Sequence, residues 1–426
     1  MYAAASARTR KNGGVIMKDL RHLIYFEDLL RQANNVLVQQ ACKDGKLALG
    51  YNCSNIPELL LDVDGCFGVR LRAPGCNSPD MATYYMTNRS CPYSKSILER
   101  AFEGGYNFLS ALIGQECCTT MNRMEQYFDY CKLIPNEKFF VECIDMPINR
   151  SDWHEGYYER QIQAKIIDPL VNVYNIDFSD EKLLKAIELH NEVSRIVTEI
   201  GNLRKLENAP ITGYEFHIIQ LVTLTCPKYL ILDKLRETLA ELKKRKPEPK
   251  PWYRARVMIT GAEVDDPELT RMLEMCGGFV VADRYCFGSM PGREQISVDD
   301  GESPLHAIAR YYLRSNQCPR TMGPENIISR KQYIFEKARE FGAEGIIVEN
   351  MKFCEYWGYE RAQDAVWLSQ GYEIPGMLPT CQIERDYTSA ASGQLRTRFQ
   401  AFIESLEIKR IQSAADTTEN ENGGAA

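Results

Sequence analysis

The chain predicts an α/β protein made of two parallel-sheet units with a helical insert between them and further helices at the ends. Three observations predict it. Short apolar runs alternate with 3.6-period stretches from about Lys46 to Pro147, and the same alternation returns from Tyr253 onward, the pattern of parallel strands joined by crossover helices. Between about Tyr157 and Lys250 only long helical periodicities occur. Cysteines recur just past the apolar runs, and in a doubly wound sheet the carboxyl ends of the strands frame the ligand crevice.

Residues 1–16 are small, basic and aperiodic and are expected to be a disordered extension. The first α/β unit is expected over 17–156. It opens with one helix, RHLIYFEDLLRQANNVLVQQACK, and continues with a strand ending near Cys53, the helix NIPELLLDV and a strand through Val69 and Leu71. A helix in SKSILERAFEGG, a strand running into Cys117 and Cys118, the helix TMNRMEQYFDYCKL and the strand KFFVECIDMP complete it. The insert, 157–252, carries EKLLKAIELHNEVSRIVTEIGNLRKLEN and KYLILDKLRETLAELKKR and closes in KKRKPEPKPW, a proline-rich linker in which a helix cannot continue. The second unit, 253–412, reads as strand RVMITG, helix DPELTRMLEMCGG, strand FVVADRYC, a helix in PLHAIARYYLR, helix and strand in KQYIFEKAREFGAEGIIVENMKFC, strand GMLPTCQIE and helix SGQLRTRFQAFIESLEIKR. Residues 413–426 are polar and are expected to be a disordered tail.

Composition narrows the function classes. The 426 residues are 44% apolar, so a core needs no disulfide staples; the fifteen cysteines are odd in number, and the first residues contain no continuous apolar h-region. A reducing, cytoplasmic setting is expected. No run of eighteen apolar residues occurs, which argues against a membrane span. A net charge of −7 without a basic tract argues against a nucleic-acid partner. No GxxxxGK[ST] is present, so no nucleotide is expected to bind this chain, and the glycines of GAEG and GYNFLSALIG read as ordinary helix-to-strand turns.

The thiols divide by position. Cys42, Cys131, Cys143, Cys226, Cys276 and Cys381 lie inside helical or strand patterns and read as small buried or surface residues. Cys91, Cys118 and Cys354 lie at element boundaries, beside Pro92, Thr119 and Glu355, where a helix dipole eases thiol ionisation. Thiolates delivered from separate parts of a fold are what an iron–sulfur cluster uses. Zinc usually takes short ligand pairs, which are absent, and none of the five histidines stands beside a boundary cysteine as a base for nucleophilic chemistry. On pattern alone, a shared metal–sulfur role and separate buried thiols both remain open.

Four segments carry a resemblance: CPYSKSILERAFEGGYNFL, ECCTTMNRMEQYF, GAEGIIVENMKFCEYWGYE and SGQLRTRFQAFIESLE. From about Leu47 to Leu406 the chain resembles subunits of the 2-hydroxyacyl-CoA dehydratase and benzoyl-CoA reductase family. The resemblance implies two flavodoxin-like domains that hold a 4Fe-4S cluster through Cys91, Cys118 and Cys354, with Cys118 preferred to Cys117 by its spacing to Met124. It also implies a lyase that eliminates water from a 2-hydroxyacyl-CoA through a ketyl radical. The electron would come from a separate ATP-dependent iron–sulfur activator, and a homologous second subunit or a second copy of the chain would complete a dimer.

The chain departs from that pattern by adding Cys53, Cys76, Cys117 and Cys286 at expected strand ends as further candidate ligands. This enrichment is similar to the family's double-cubane branch, whose larger iron–sulfur cluster uses six cysteines and reduces small molecules. A non-catalytic alternative is an electron-relay subunit. Glu58, Lys95 and Glu355 are expected near the crevice as candidates to touch substrate or tune the cluster, each equally readable as a helix-cap charge.

Overall fold

A computed structural model describes residues 20–423 except 117, 247–249, 291–293, 371–377 and 388–391. Two helices, α1 (Leu23–Leu29) and α2 (Val36–Lys43), precede the first sheet. Sequence periodicity predicts one helix here. Asn35 divides it, because its side chain accepts from the amides of Leu37 and Val38 and so starts a new helix.

β1 (Leu47–Tyr51), β2 (Cys66–Arg70), β3 (Ala111–Gln115) and β4 (Phe140–Ile144) form the first sheet, with α3 (Asp80–Tyr85), α4 (Pro92–Phe102) and α5 (Thr119–Tyr130) in the connections. The expected helix in NIPELLLDV is a 3-10 turn of 5 residues, Glu58–Asp62, confined between Pro57 and the Gly65 turn. Helices α6 (Asp152–Ile162), α7 (Asp168–Tyr174), α8 (Asp180–Asn202), α9 (Gly213–Thr225) and α10 (Lys228–Lys244) make the insert. The second sheet takes β5 (Ala255–Gly261), β6 (Gly278–Tyr285), β7 (Gly345–Met351) and β8 (Thr380–Arg385), connected through α11 (Pro267–Met275), α12 (Pro304–Arg314), α13 (Pro324–Glu340) and α14 (Glu355–Gln370); α15 (Ser392–Gly423) ends the described chain.

Every strand pair is parallel, and the orders β2-β1-β3-β4 and β6-β5-β7-β8 are the same arrangement used twice. The central strands are buried on both faces, as parallel strands between helix layers must be. The insert joins the two sheets. α9 is buried along nearly its whole length, opens with a Thr212–Glu215 capping box, and packs against both β2 and β6. At the carboxyl end, helical backbone continues to Gly423, where the polar composition predicts disorder; alanines and glutamates there are good helix formers that extend an established helix.

His217 illustrates how this central helix is locked. Its Nε2 donates to the Val264 carbonyl at 3.1 Å, leaving Nδ1 to accept from the Thr270 hydroxyl at 2.9 Å. Burial favours this neutral ring and lowers its pKa from 6.5 to about 4. Between those values the unfolded chain takes up a proton that the folded chain refuses, so stability falls as pH drops through that window, by up to about 3 kcal/mol. Urea unfolding at pH 7.5 and 4.5 is expected to show this loss, and His217→Gln is expected to reduce it. An equal acid-side slope in both proteins rejects the assignment.

Candidate metal–sulfur site

Six cysteines line one cavity of about 120 Å³ where the carboxyl ends of the two sheets meet: Cys53, Cys91, Cys118, Cys286, Cys318 and Cys354. They come from both domains. Cys53 lies two residues past β1 and donates to Gln115 Oε1 at 3.0 Å. Cys91 caps the amino end of α4, with Pro92 at the first helical position, where the missing amide is harmless. Cys118 caps α5 and contacts Thr120 Oγ1 at 3.4 Å.

In the second domain Cys286 directly follows β6, its amide bonding the Ala262 carbonyl. Cys318 lies between α12 and α13, its amide donating to Asn316 Oδ1 at 2.7 Å. Cys354 precedes α14, and the residue before it, Phe353, turns the chain with φ +60°, a conformation that costs a non-glycine residue about 1 kcal/mol or more. Ala262 on the cavity wall is fixed from below: its amide donates to Glu349 Oε2 at 2.8 Å. Gly261 permits this, since a Cβ there would meet that same oxygen at 2.4 Å.

The thiols influence one another in two groups. Cys354 feels Cys91 and Cys118, and Cys91 feels Cys118. Cys318 feels Cys53, and Cys286 feels both Cys318 and Cys53. Burial pushes the Cys91 thiol up to about 12 and Cys318 up to about 11, and raises Cys354 and Cys286 well above the ordinary thiol value. For Cys91 and Cys354 desolvation therefore raises the thiol, against the easier ionisation expected at a helix amino end. Any metal must displace these protons.

The described cysteines are free. Among the described residues no three His, Cys, Asp or Glu side chains are grouped to hold a single metal ion. A cubane distributes its thiolates over separate irons, so buried sulfur donors around a small space suit it. The volume fits a compact inorganic group and falls below the roughly 300–1,000 Å³ usual for drug-sized ligands. A larger cavity of about 550 Å³, beside Arg204, Asp283 and Tyr333, has no thiol on its wall.

Other expected site residues are distributed unevenly. Glu355 lies on the cavity wall. Glu58 does not: it is buried with His190 Nδ1 at 3.3 Å, Lys228 Nζ at 3.5 Å and the Tyr312 hydroxyl, and these groups overcome burial to hold its carboxyl below the usual range. Lys95 is also absent from the wall and reaches back to the Asn88 carbonyl at 3.4 Å. Cys76 must be corrected. β2 ends at Arg70, the chain turns at Gly75, and the thiol packs beside Ser96 and Arg100 instead of entering the cavity. Cys117 lies outside the described residues.

Two wall residues were missed. Cys318 follows no strand, so a search of strand ends passes over it, yet its Cys-Pro dipeptide repeats that of Cys91 and Pro92, although here the helix opens only at Pro324. Glu263 stands two residues past β5, as Cys53 does past β1; burial raises its carboxyl to about 7 although Arg70 Nη2 lies 3.2 Å away.

Comparison with known proteins agrees with this architecture. Residues 53–406 match the family described as 2-hydroxyglutaryl-CoA dehydratase, D-component. The chain is 27% identical to the (R)-phenyllactyl-CoA dehydratase beta subunit of Clostridium sporogenes, covering 89% of this chain and 97% of that protein. It is 22% identical to the lactoyl-CoA dehydratase beta subunit of Anaerotignum propionicum, over 90% and 98% of the two chains. A benzoyl-CoA reductase subunit of Thauera aromatica is 20% identical over 62% of this chain and 67% of its own length. With one family matched across most of its length, the chain belongs to the 2-hydroxyglutaryl-CoA dehydratase D-component family.

Proposed function

We propose that the chain is an iron–sulfur enzyme subunit of the 2-hydroxyacyl-CoA dehydratase type, supplied with low-potential electrons by a separate ATP-hydrolysing activator. Within that family, its cavity favours a double-cubane centre and the reducing branch. The observation that carries this reading is the division of six cavity-lining thiols, buried or half-buried, into Cys91, Cys118 and Cys354 on one hand and Cys53, Cys286 and Cys318 on the other. Each trio matches the three protein thiolates that one cubane would take. Such a centre supplies one-electron chemistry at a potential that side chains alone cannot reach.

The chain's own residues hold, dry and shape that space. The buried part of the wall, with Cys53, Cys91 and Cys286, lowers the local dielectric and strengthens charge interactions beside it. Glu355 and Glu263 are the wall carboxylates available to orient a substrate. The relatives' names speak of beta subunits and of a reductase subunit, which supports a partner subunit or a second copy of the chain and an acyl-CoA or smaller reducible substrate.

The dehydrating reading keeps one support, the names of the relatives, and requires only the Cys91 trio with one coordination position left open. Anaerobic assays separate the alternatives. The reconstituted chain with an activator is expected to be reduced and to turn over with ATP but not with ADP. Full turnover on a chemical reductant without the ATPase overturns the electron route. Loss of water from (R)-phenyllactyl-CoA by a chain carrying a single cubane assigns it to the dehydrating branch.

A further inference from the structure

The loop that carries Cys318 is gripped by guanidinium groups from three separate elements. Arg150, just ahead of α6, donates to the Asn316 carbonyl and to Thr321 Oγ1 at 3.3 Å. From β6, Arg284 donates to the Gln317 carbonyl at 2.5 Å, and its guanidinium lies 5.1 Å from the ring centre of Trp357 on the cavity wall. Arg330 on α13 donates to the Thr321 carbonyl and, at 3.1 Å, to its hydroxyl.

The charges in this group do not balance. Arg284 and Arg330 share Glu360 at 3.2 and 3.0 Å, while Lys331 lies 3.0 Å from Glu360 and bonds Asp364. Arg320 is matched separately by Asp145 at 2.9 Å. Among the described residues, four cations (Arg150, Arg284, Arg330 and Lys331) therefore face two carboxylates, Glu360 and Asp364. The Nε atoms of Arg150 and Arg284 have no hydrogen-bond partner. Burying a cation without a counter-charge costs several kcal/mol, so a surplus of this kind calls for an anion. Cys318 lies beside the cluster: its thiol feels Arg330 and Arg320, and it acts in turn on Arg150.

We propose that Arg150, Arg284 and Arg330 form a counter-charge cradle that sets the reduction potential of the centre held at Cys318. The proposal rests on the iron–sulfur reading of the cavity. Reduction adds one electron, donated by the activator or a chemical titrant, and no bond is made or broken. Positive charge beside the centre offsets that added negative charge, and net charge and nearby hydrogen bonds are recognised determinants of such potentials. The arginines are positioning residues, since none of them needs to touch substrate.

Arg150 is the residue to test because, among the described residues, it has no carboxylate partner to leave stranded. Arg150→Gln and Arg150→Lys in the full chain, reconstituted anaerobically, are titrated with dithionite under EPR detection after iron counting. At the wild-type midpoint, the reduced-to-oxidised ratio is expected to fall at least tenfold in Arg150→Gln, a shift of 59 mV or more to negative potential for one electron, while Arg150→Lys stays near wild type. Glu360→Gln enlarges the positive surplus and is expected to shift the midpoint the other way, which keeps the test decisive if Arg150→Gln loads no iron. A neutral variant with wild-type iron and an unchanged midpoint overturns the cradle and leaves the iron–sulfur reading standing. Absence of iron from the wild type overturns that reading itself.

Discussion

Anaerobic reconstitution with iron and sulfide is expected to load about eight irons per chain, the content of two cubanes, and single Cys→Ser changes are expected to divide by trio. Cys53→Ser, Cys286→Ser and Cys318→Ser each remove a ligand from one trio and should lower the count by about half. Cys91→Ser, Cys118→Ser and Cys354→Ser should do the same to the other trio. Cys76→Ser should leave it unchanged, because that thiol packs beside Ser96 and Arg100, away from the cavity. The expectation follows from burial as much as from number: desolvation raises the thiols of Cys91, Cys286, Cys318 and Cys354 around a cavity of about 120 Å³, so a bound iron must displace their protons. A count of about four that Cys286→Ser and Cys318→Ser do not alter defeats the double-cubane assignment and restores one cubane with an open iron.

Cys91, Cys118 and Cys354 are legible in the sequence because the local physics is local. A strand or loop ends, a proline or threonine opens a helix, and the capping residue at that boundary faces the crevice of a parallel sheet. The two-sheet architecture is legible for the same reason, since alternation of apolar runs and helical periods needs no long-range information. Cys76 misleads because FGVRLRAPGC is apolar almost throughout, and nothing in its composition shows that pairing with β1 stops at Arg70. Cys318 is hidden for the opposite reason. Its place on the wall depends on Arg150, Arg284 and Arg330 closing around its loop, contacts that no short-range pattern announces. Glu58 reads as a crevice residue from its distance past β1 and turns out to be tied to Lys228 in α10, a pairing across the insert.

Lys331→Met is expected to destabilise the chain by about 3–5 kcal/mol at pH 8, the usual cost of removing one member of a buried ionic group. Lys331, Glu360 and Asp364 have no exposed side-chain surface. Glu360 would retain Arg284 and Arg330, but Asp364 would lose its only ion-pair partner among the described residues, keeping just the more distant pull of Arg284, and its Oδ2 already lacks a hydrogen bond. Burial already raises the Asp364 carboxyl above 3.8 against the pull of Lys331, and without the lysine it should rise further. A carboxyl whose folded pKa exceeds its unfolded value contributes stability below the unfolded pKa and loses it as pH rises through the folded one. The deficit should therefore be greatest at pH 8 and shrink towards pH 5 as the stranded carboxyl takes up a proton. Replacing Asp364 by leucine in the same chain should recover much of the loss, since an apolar pair of similar size is often as stable as a buried ion pair. Urea unfolding of both variants at pH 8 and pH 5 checks this. A loss under about 1 kcal/mol at pH 8, or a loss independent of pH, would show that the network is not acting as a charge assembly. Glu360 holds two of the three arginines that bind the Cys318 loop, Arg284 and Arg330, so the same measurement asks whether an ionic core is retained here to place a thiol.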